Sequence, residues 1–571
     1  MPRQATTRRG FLELAAGACG VLAAPHNLSG VPTNRVRRPN RTSSYLDILR
    51  SPDSLTAYSG SKMSLPLTRS GDRWGSHDIS VRTGLSPKDG STELAIHLSS
   101  PQTHLTHLHL RWILKLPSDL RILGDAWERS YGDLEWRGFV PERPMPWYFF
   151  TFDGDRLNGY GVRTGVSSFC FWQVDPEGVS LWTDLRNGGN PVELGSRELH
   201  VASVVTRQAE EGEAPIDSSR LFCKRVCPDP RLPHGPLYGS NDWYYAYGKN
   251  TADGILHDAD FIASIAPSHS HKPFVVIDDG WQDNRRFPDM AGIASAIRQR
   301  GLRPGLWVRP TSAQQDTIAS LLLSSARFGK DSGNAATYDP TIPEALEKML
   351  ETVRRPVSWG YEFLKHDFST YELLGKWGRE MGSSPTCEGW NFADHTRTNA
   401  EIIISFYQAL RRAAGNSVVM LGCNTIGHLS AGIFESQRTG DDTSGTSWER
   451  TRQMGVNTLA FRNPQHHTLF HLDPDCVAIT DRIDWSNTRQ WLDLVSRSGA
   501  SLFISPQPEA IGPEQKAVVK DAFQIVGSST SGFAEDWLNN TTPQQWRFQS
   551  TVDCIRKYQW CTTEGTLPFE S

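Results

Sequence analysis

From about residue 235 to 510 the chain repeats one grammar, a short apolar run followed by a helical stretch. Eight runs occur in order: "LYGSNDWYYA", "PFVVIDDG", "RPGLWVRP", "GYEFLKHDF", "SVVMLGCN", "GIFESQRTG", "CVAIT" and "SLFISP". Between the fourth and fifth lies "RTNAEIIISFYQALRRAAGN", where Ile402, Ile403, Phe406 and Leu410 share one helical face. Thr398 and Glu401 form a capping box for that helix, and Gly415 supplies its stop. Strands alternating with helices predict an α/β fold, a (β/α)8 TIM barrel over 235–528, with an open doubly wound sheet as the alternative.

The flanking regions read differently. Residues 45–225 are β-rich: "THLHLRWILKLP" alternates Leu108, Leu110, Trp112, Leu114 and Leu116 against polar neighbours, the period of a half-buried strand. They predict an N-terminal β-sandwich domain, closed by the proline-rich boundary "CPDPRLPHGP". Residues 529–571 form a short C-terminal appendage with no readable architecture. At the other end, Arg8 and Arg9 precede an apolar stretch too short to span a bilayer. Residues 1–24 therefore predict a twin-arginine-type signal peptide and a periplasmic or secreted bacterial protein.

A net charge of −4 predicts no nucleic-acid partner. Nine cysteines, one of them in the leader, are dispersed; Cys223 and Cys227 have no second pair to make a zinc site, so single buried thiols are expected. No His, Asp or Glu cluster has ligand spacing. His466 and His467 are adjacent and would point to opposite sides of an extended chain. No metal and no cofactor are predicted, and no dinucleotide-binding glycine motif follows a strand.

Why should an apolar run end in Lys365, His366 and Asp367? In a barrel, polar groups gather at the carboxyl ends of the strands. Lys365 and Asp367 are two apart, so both point into the mouth. The pattern recurs at Asp278 and Asp279, at Arg309, at Cys423 and Asn424, and at Arg438 with Asp441 and Asp442. A lone Asp after a strand is ordinarily a turn former or helix cap. Carboxylates converging from three strands, with a Lys and an Arg among them, point instead to a polar ligand. A pair of carboxylates across a pocket is what glycoside hydrolysis requires.

"VVIDDGWQ", "FLKHDF", "ESQRTGDD" and "LDPDC", in this order, resemble the melibiase clan of retaining α-glycosidases, which includes α-galactosidases and α-N-acetylgalactosaminidases. The resemblance covers roughly 235 to 510. It implies an exported glycoside hydrolase cleaving terminal α-galactoside-type linkages through a covalent glycosyl-aspartate. Asp367 would be the nucleophile and Asp442 the acid and then the base, favoured over Asp441 by its spacing from Arg438. Asp278, Asp279, Lys365 and Arg438 would bind sugar hydroxyls, the two cations also lowering the pKa of Asp367. Trp281, Trp307, Asn241 and Trp243 would complete the pocket for an oligosaccharide or glycoconjugate. Three features depart from the family pattern: His366, Arg309, and a strand five without the usual glycines. They bear on which sugar is bound. The alternatives are an α-N-acetylgalactosaminidase, another glycosidase or transglycosidase of the clan, and a non-catalytic carbohydrate-binding protein on this fold.

Overall fold

The computed structural model describes residues 45–60, 63–88, 90–268, 270–314, 316–329, 336–526, 531–549, 553–562 and 565–566. The expected signal peptide, with Arg8, Arg9 and Cys19, lies outside the described residues.

Nine short strands make one curled, all-parallel sheet: β1 (Tyr238–Asn241), β2 (Phe274–Ile277), β3 (Arg303–Val308), β4 (Phe363–His366), β5 (Val419–Gly422), β6 (Ser436–Arg438), β7 (His471–Asp473), β8 (Val477–Ile479) and β9 (Leu502–Pro506). Their order is β7-β6-β5-β4-β3-β2-β1-β9-β8. The two outermost strands are thus consecutive in the chain. Arg438 pairs with Asp473, whereas Val477 pairs with Ile504. The switch falls on Pro474, which has no N–H to give a ladder, and on Asp475, held left-handed at φ 72°. The apolar run "CVAIT" predicts β8, but nothing in the sequence predicts β7, whose His-Leu-Asp forms no apolar run.

The strands are buried on both sides, yet a period of two persists. Phe274, Val276 and Phe363 pack inside the curl, while Val275, Ile277 and Leu364 join the outer core. Helices α1 (Ala252–Ile265), α2 (Met290–Gln299), α3 (Pro343–Trp359), α4 (Asn399–Ala414), α5 (Trp485–Ser498) and α6 (Pro513–Val526) separate strands or follow the last one. In α4 the Thr398–Glu401 capping box forms, and Ile402, Ile403, Phe406 and Leu410 are buried. Burying each of these four side chains contributes roughly 1.5–3 kcal/mol.

Before the parallel sheet come two antiparallel sheets of six and eight strands. Strand His107–Ile113 buries Leu108, Leu110 and Trp112 as the alternation requires. It ends before Leu114 and Leu116, which are only partly buried. A helix, Pro215–Val226, closes this region where only β structure was expected. Its Phe222 lies so close to Gly159 that a Cβ there would come within 2.2 Å of the ring, so only glycine fits. The C-terminal segment forms a three-stranded antiparallel sheet, Ser531–Ala534, Gln545–Gln549 and Cys554–Lys557, anchored by buried Trp546 and Phe548.

The eight described cysteines are free thiols, five of them buried; Cys554 is exposed and Cys387 and Cys561 lie between. The expectation that His466 and His467 diverge is overturned. They sit on a turn, not on extended chain: His467 has φ 57°, and the two rings stack with centroids 3.9 Å apart. Among the described residues no helix is long and apolar enough to cross a membrane.

Candidate active site

The alternation along β4 accounts for the Lys-His-Asp sequence. Lys365 and Asp367 face the inside of the curl. His366 points outward into a cage of Phe406, Tyr407 and Phe434, where neither ring nitrogen has a partner. Burial drives its pKa down to about 3, so it is a neutral core residue.

Three small networks meet at the carboxyl ends of the strands. In the first, Asp278 Oδ2 accepts from Asn241 Nδ2 at 2.7 Å and pairs with Lys365 Nζ at 2.8 Å. Burial alone would lower the Lys365 pKa; the Asp278 carboxylate reverses this and keeps it well above its ordinary value. Lys365 is thus held by Asp278, the carboxylate that closes β2. Beneath them Asp242 is buried beside Asp278, and burial with that like charge raises its pKa to about 7.

The second network holds Asp367. Its Oδ2 accepts from Trp307 Nε1 at 3.1 Å, and its Oδ1 from the Phe368 N–H at 2.8 Å. Phe368 is left-handed at φ 64°, a conformation that costs about 1–3 kcal/mol in a non-glycine residue and turns its N–H back onto the carboxylate.

The third network surrounds Asp442. Arg438 Nη2 lies 3.1 Å from Asp442 Oδ1 and 2.9 Å from Asp475 Oδ2, and its Nη1 is 3.3 Å from Cys423 Sγ. Asp475 also accepts from the Thr443 N–H at 2.8 Å and from the Tyr244 hydroxyl, which rationalises its strained backbone. Burial pushes the Asp442 carboxyl up. The guanidiniums of Arg438 and Arg129 and the Lys365 ammonium outweigh it and hold the pKa at about 2. Cys423 links the second and third networks: its thiol feels the charge of Asp367 as well as those of Arg438 and Lys365.

Other expected residues take supporting places. Trp243 begins the turn after β1, its N–H donating to Asn241 Oδ1 at 3.1 Å. Asp279 Oδ1 accepts from the Gly280 N–H and Gln282 Nε2, within its own loop. Trp281 packs edge-on against Trp359 and donates to the Trp307 carbonyl at 2.9 Å. Arg309 is spent on Glu372 at 2.6 Å and lies over the Phe368 ring. Asp441 and Asp442 cap no helix; the next one begins at Trp448, capped by Ser447.

One contributor went unseen in the sequence. Arg129, from the loop after strand Arg121–Gly124, reaches both carboxylates of the doublet: Nη2 lies 2.8 Å from Asp441 Oδ1, and Nη1 3.5 Å from Asp442 Oδ1. Arg450 holds the other Asp441 oxygen at 2.7 Å. The loop is fixed by Ser130, which exchanges backbone hydrogen bonds with Thr439 and Asp441 at 3.0 and 2.9 Å. Buried Glu128 adds bonds from Tyr131, Gly378 and Asn424. A single arginine in an aperiodic loop carries no signal that a sequence reader could use.

No family model and no curated protein matches the chain. Solved structures do. TtGalA, an α-galactosidase from Thermus thermophilus in complex with p-nitrophenyl α-D-galactopyranoside, aligns at TM-score 0.59 and 18% identity, over 84% of this chain and 97% of that one. The same enzyme in complex with stachyose gives 0.56 and 19%, over 78% and 96%. The GH36 α-galactosidase AgaA from Geobacillus stearothermophilus gives 0.57 and 11%, over 88% and 77%. The fold of this chain is that of the GH36 α-galactosidases, which is the architecture its strand-end motifs resemble.

Proposed function

We propose that this protein is an exported glycoside hydrolase that cleaves terminal α-galactoside-type linkages with retention of configuration. The reading places a signal peptide at 1–24, a β-sandwich at 45–225, a catalytic (β/α)8 barrel at 235–528 and an appendage at 529–571. The observation that carries it is the placement of two differently held carboxylates, Asp367 and Asp442, after the fourth and sixth strands of one sheet. The fold shared with TtGalA, solved with an aryl α-galactoside and with stachyose, supports the choice of substrate class.

In the first step an Asp367 oxygen attacks the anomeric carbon, and the bond to the leaving oxygen breaks as Asp442 donates a proton to it. In the second, Asp442 as carboxylate takes a proton from water, whose oxygen displaces Asp367 from the sugar. The hydrogen bonds from Trp307 and Phe368 hold the Asp367 carboxylate in one orientation. Asp442 must gain a proton that its arginines oppose in the resting site. Sugar hydroxyls drawing Arg438 toward themselves would loosen that hold, so the acid forms where substrate is bound. Asp278, Asp279, Lys365, Asn241, Trp243, Trp281, Trp307 and Arg438 make up the proposed substrate-binding set.

The test is hydrolysis of a panel of aryl α- and β-glycosides, with Asp367→Asn as control and product anomer followed by NMR. Turnover of the α-galactoside first giving the α-anomer is expected. Inactivity on every glycoside would leave a carbohydrate-binding protein as the reading.

A further inference from the structure

We propose that His466, His467 and His471 form a binding site for a divalent transition ion, zinc above all, at the amino-terminal end of β7. The ion would lie at the opposite end of that strand from Asp473 and the catalytic mouth. One ligand nitrogen from each of the three rings lies within 4.8 Å of the other two. His467 Nε2 and His471 Nδ1 share a hydrogen bond at 3.0 Å, close to the ~3.3 Å that separates two nitrogens on a tetrahedral zinc with bonds of ~2.0–2.1 Å, so an ion would take the place of the shared proton.

The chain is shaped to bring these rings together. His467 is held left-handed at φ 57°, with its N–H bonded to the Phe470 carbonyl at 2.6 Å. Without that turn, adjacent histidines would diverge. The His466 ring is oriented by the Leu472 N–H, which donates to Nδ1 at 3.2 Å. His471 is 3% exposed, and its Nε2 is buried with no hydrogen-bond partner among the described residues. His467 is exposed, so a fourth coordination position opens to solvent.

An all-imidazole set suits zinc, nickel or copper and not magnesium or calcium, which require oxygen ligands. The nearest charge is Arg220, whose guanidinium donates to Asn463 Oδ1 at 2.7 Å and rests over the Phe533 ring. With a cation nearby and no carboxylate in the triad, the fourth ligand is expected to be an anion from solvent, hydroxide or chloride. The site is independent of the glycosidase reading, and its test uses no turnover.

Untagged full-length protein, stripped with a chelator and dialysed, is titrated with ZnCl2 at neutral pH, and bound metal is counted by mass spectrometry after equilibrium dialysis. One zinc per chain with saturable binding is expected, with no competition from magnesium or calcium. His467→Ala, at an exposed ring, keeps the fold and should weaken binding at least about tenfold. Cobalt in place of zinc should give the intense visible bands of a tetrahedral site, absent in the same variant. Unchanged zinc binding in His467→Ala would mean scattered surface histidines and overturn the proposal, as would the absence of saturable binding in the wild type.

Discussion

The Lys365 ammonium lies 2.8 Å from Asp278, and both groups are almost wholly buried. Such a pair is costly to break from one side, since the survivor is left as an unpaired buried charge. Asp278→Asn should lower the unfolding free energy by about 3–5 kcal/mol. Replacing both, as Asp278→Leu with Lys365→Met, should recover a large part of that loss. Denaturant unfolding of the two single variants and the double measures the cycle; strictly additive losses would show that the pair is not coupled.

Arg129 and Arg438 both hold the Asp442 carboxyl down. Removing Arg129 should let that pKa rise, by on the order of one unit. Because the acid forms where substrate is bound, the alkaline limb of kcat, which reports the enzyme–substrate complex, should move to higher pH in Arg129→Met. The profile between pH 4 and 9 reads this directly, and a limb that stays in place would separate Arg129 from the acid.

The two candidate catalytic carboxylates should fail in different ways. Asp367→Ala should lose roughly 10⁴-fold in turnover, about 5 kcal/mol in the barrier, because no covalent intermediate can form. Added azide should restore some activity and give a glycosyl azide of inverted configuration. Asp442→Ala should retain glycosylation by aryl glycosides with good leaving groups, which need little protonation. It should accumulate the intermediate on Asp367, visible by peptide mass spectrometry, and azide should then give the retained product. Exchange of these behaviours would exchange the roles.

Within the doublet, Asp441 is clamped between Arg129 and Arg450 at 2.8 and 2.7 Å. Asp441→Asn should therefore cost melting temperature more than chemistry, with turnover of an aryl glycoside kept within about tenfold. If it shows the acid phenotype described for Asp442→Ala, the assignment within the doublet is wrong.

His366 gives a pH dependence of stability. Its pKa falls from about 6.5 in the unfolded chain to about 3 when folded. The folded state thus binds fewer protons, and stability is full above about pH 6.5 and lost progressively as pH falls toward 3. Between pH 7 and 5 the loss from this residue is about 2 kcal/mol. In His366→Leu that portion of the acid-side decline in melting temperature should vanish; an unchanged slope would place the sensitivity elsewhere.

What is legible in the sequence follows local periodicity. Lys365 and Asp367 fall on one side because side chains alternate along a strand, and Thr398 meets Glu401 because a cap spans three residues. What is not legible depends on chain conformations without a period. His467 and Asp475 owe their positions to left-handed backbone, and β7 is three residues long. That Lys365 pairs with Asp278, 87 residues away, depends on packing between strands and leaves no local pattern. Arg129 depends on a contact across more than three hundred residues.

That last contact sets how the molecule can be divided. Ser130 bridges to Gly440 as an added parallel strand residue, in the segment that carries Asp441 and Asp442. A shortened chain beginning at the proline-rich boundary near residue 230 would retain every strand-end motif of the parallel sheet, yet lose the wall behind its sixth strand. The antiparallel region is therefore no detachable module. In truncation, domain exchange or library design, residues 128–131 belong with the half that carries Asp441 and Asp442, although the chain delivers them from the other.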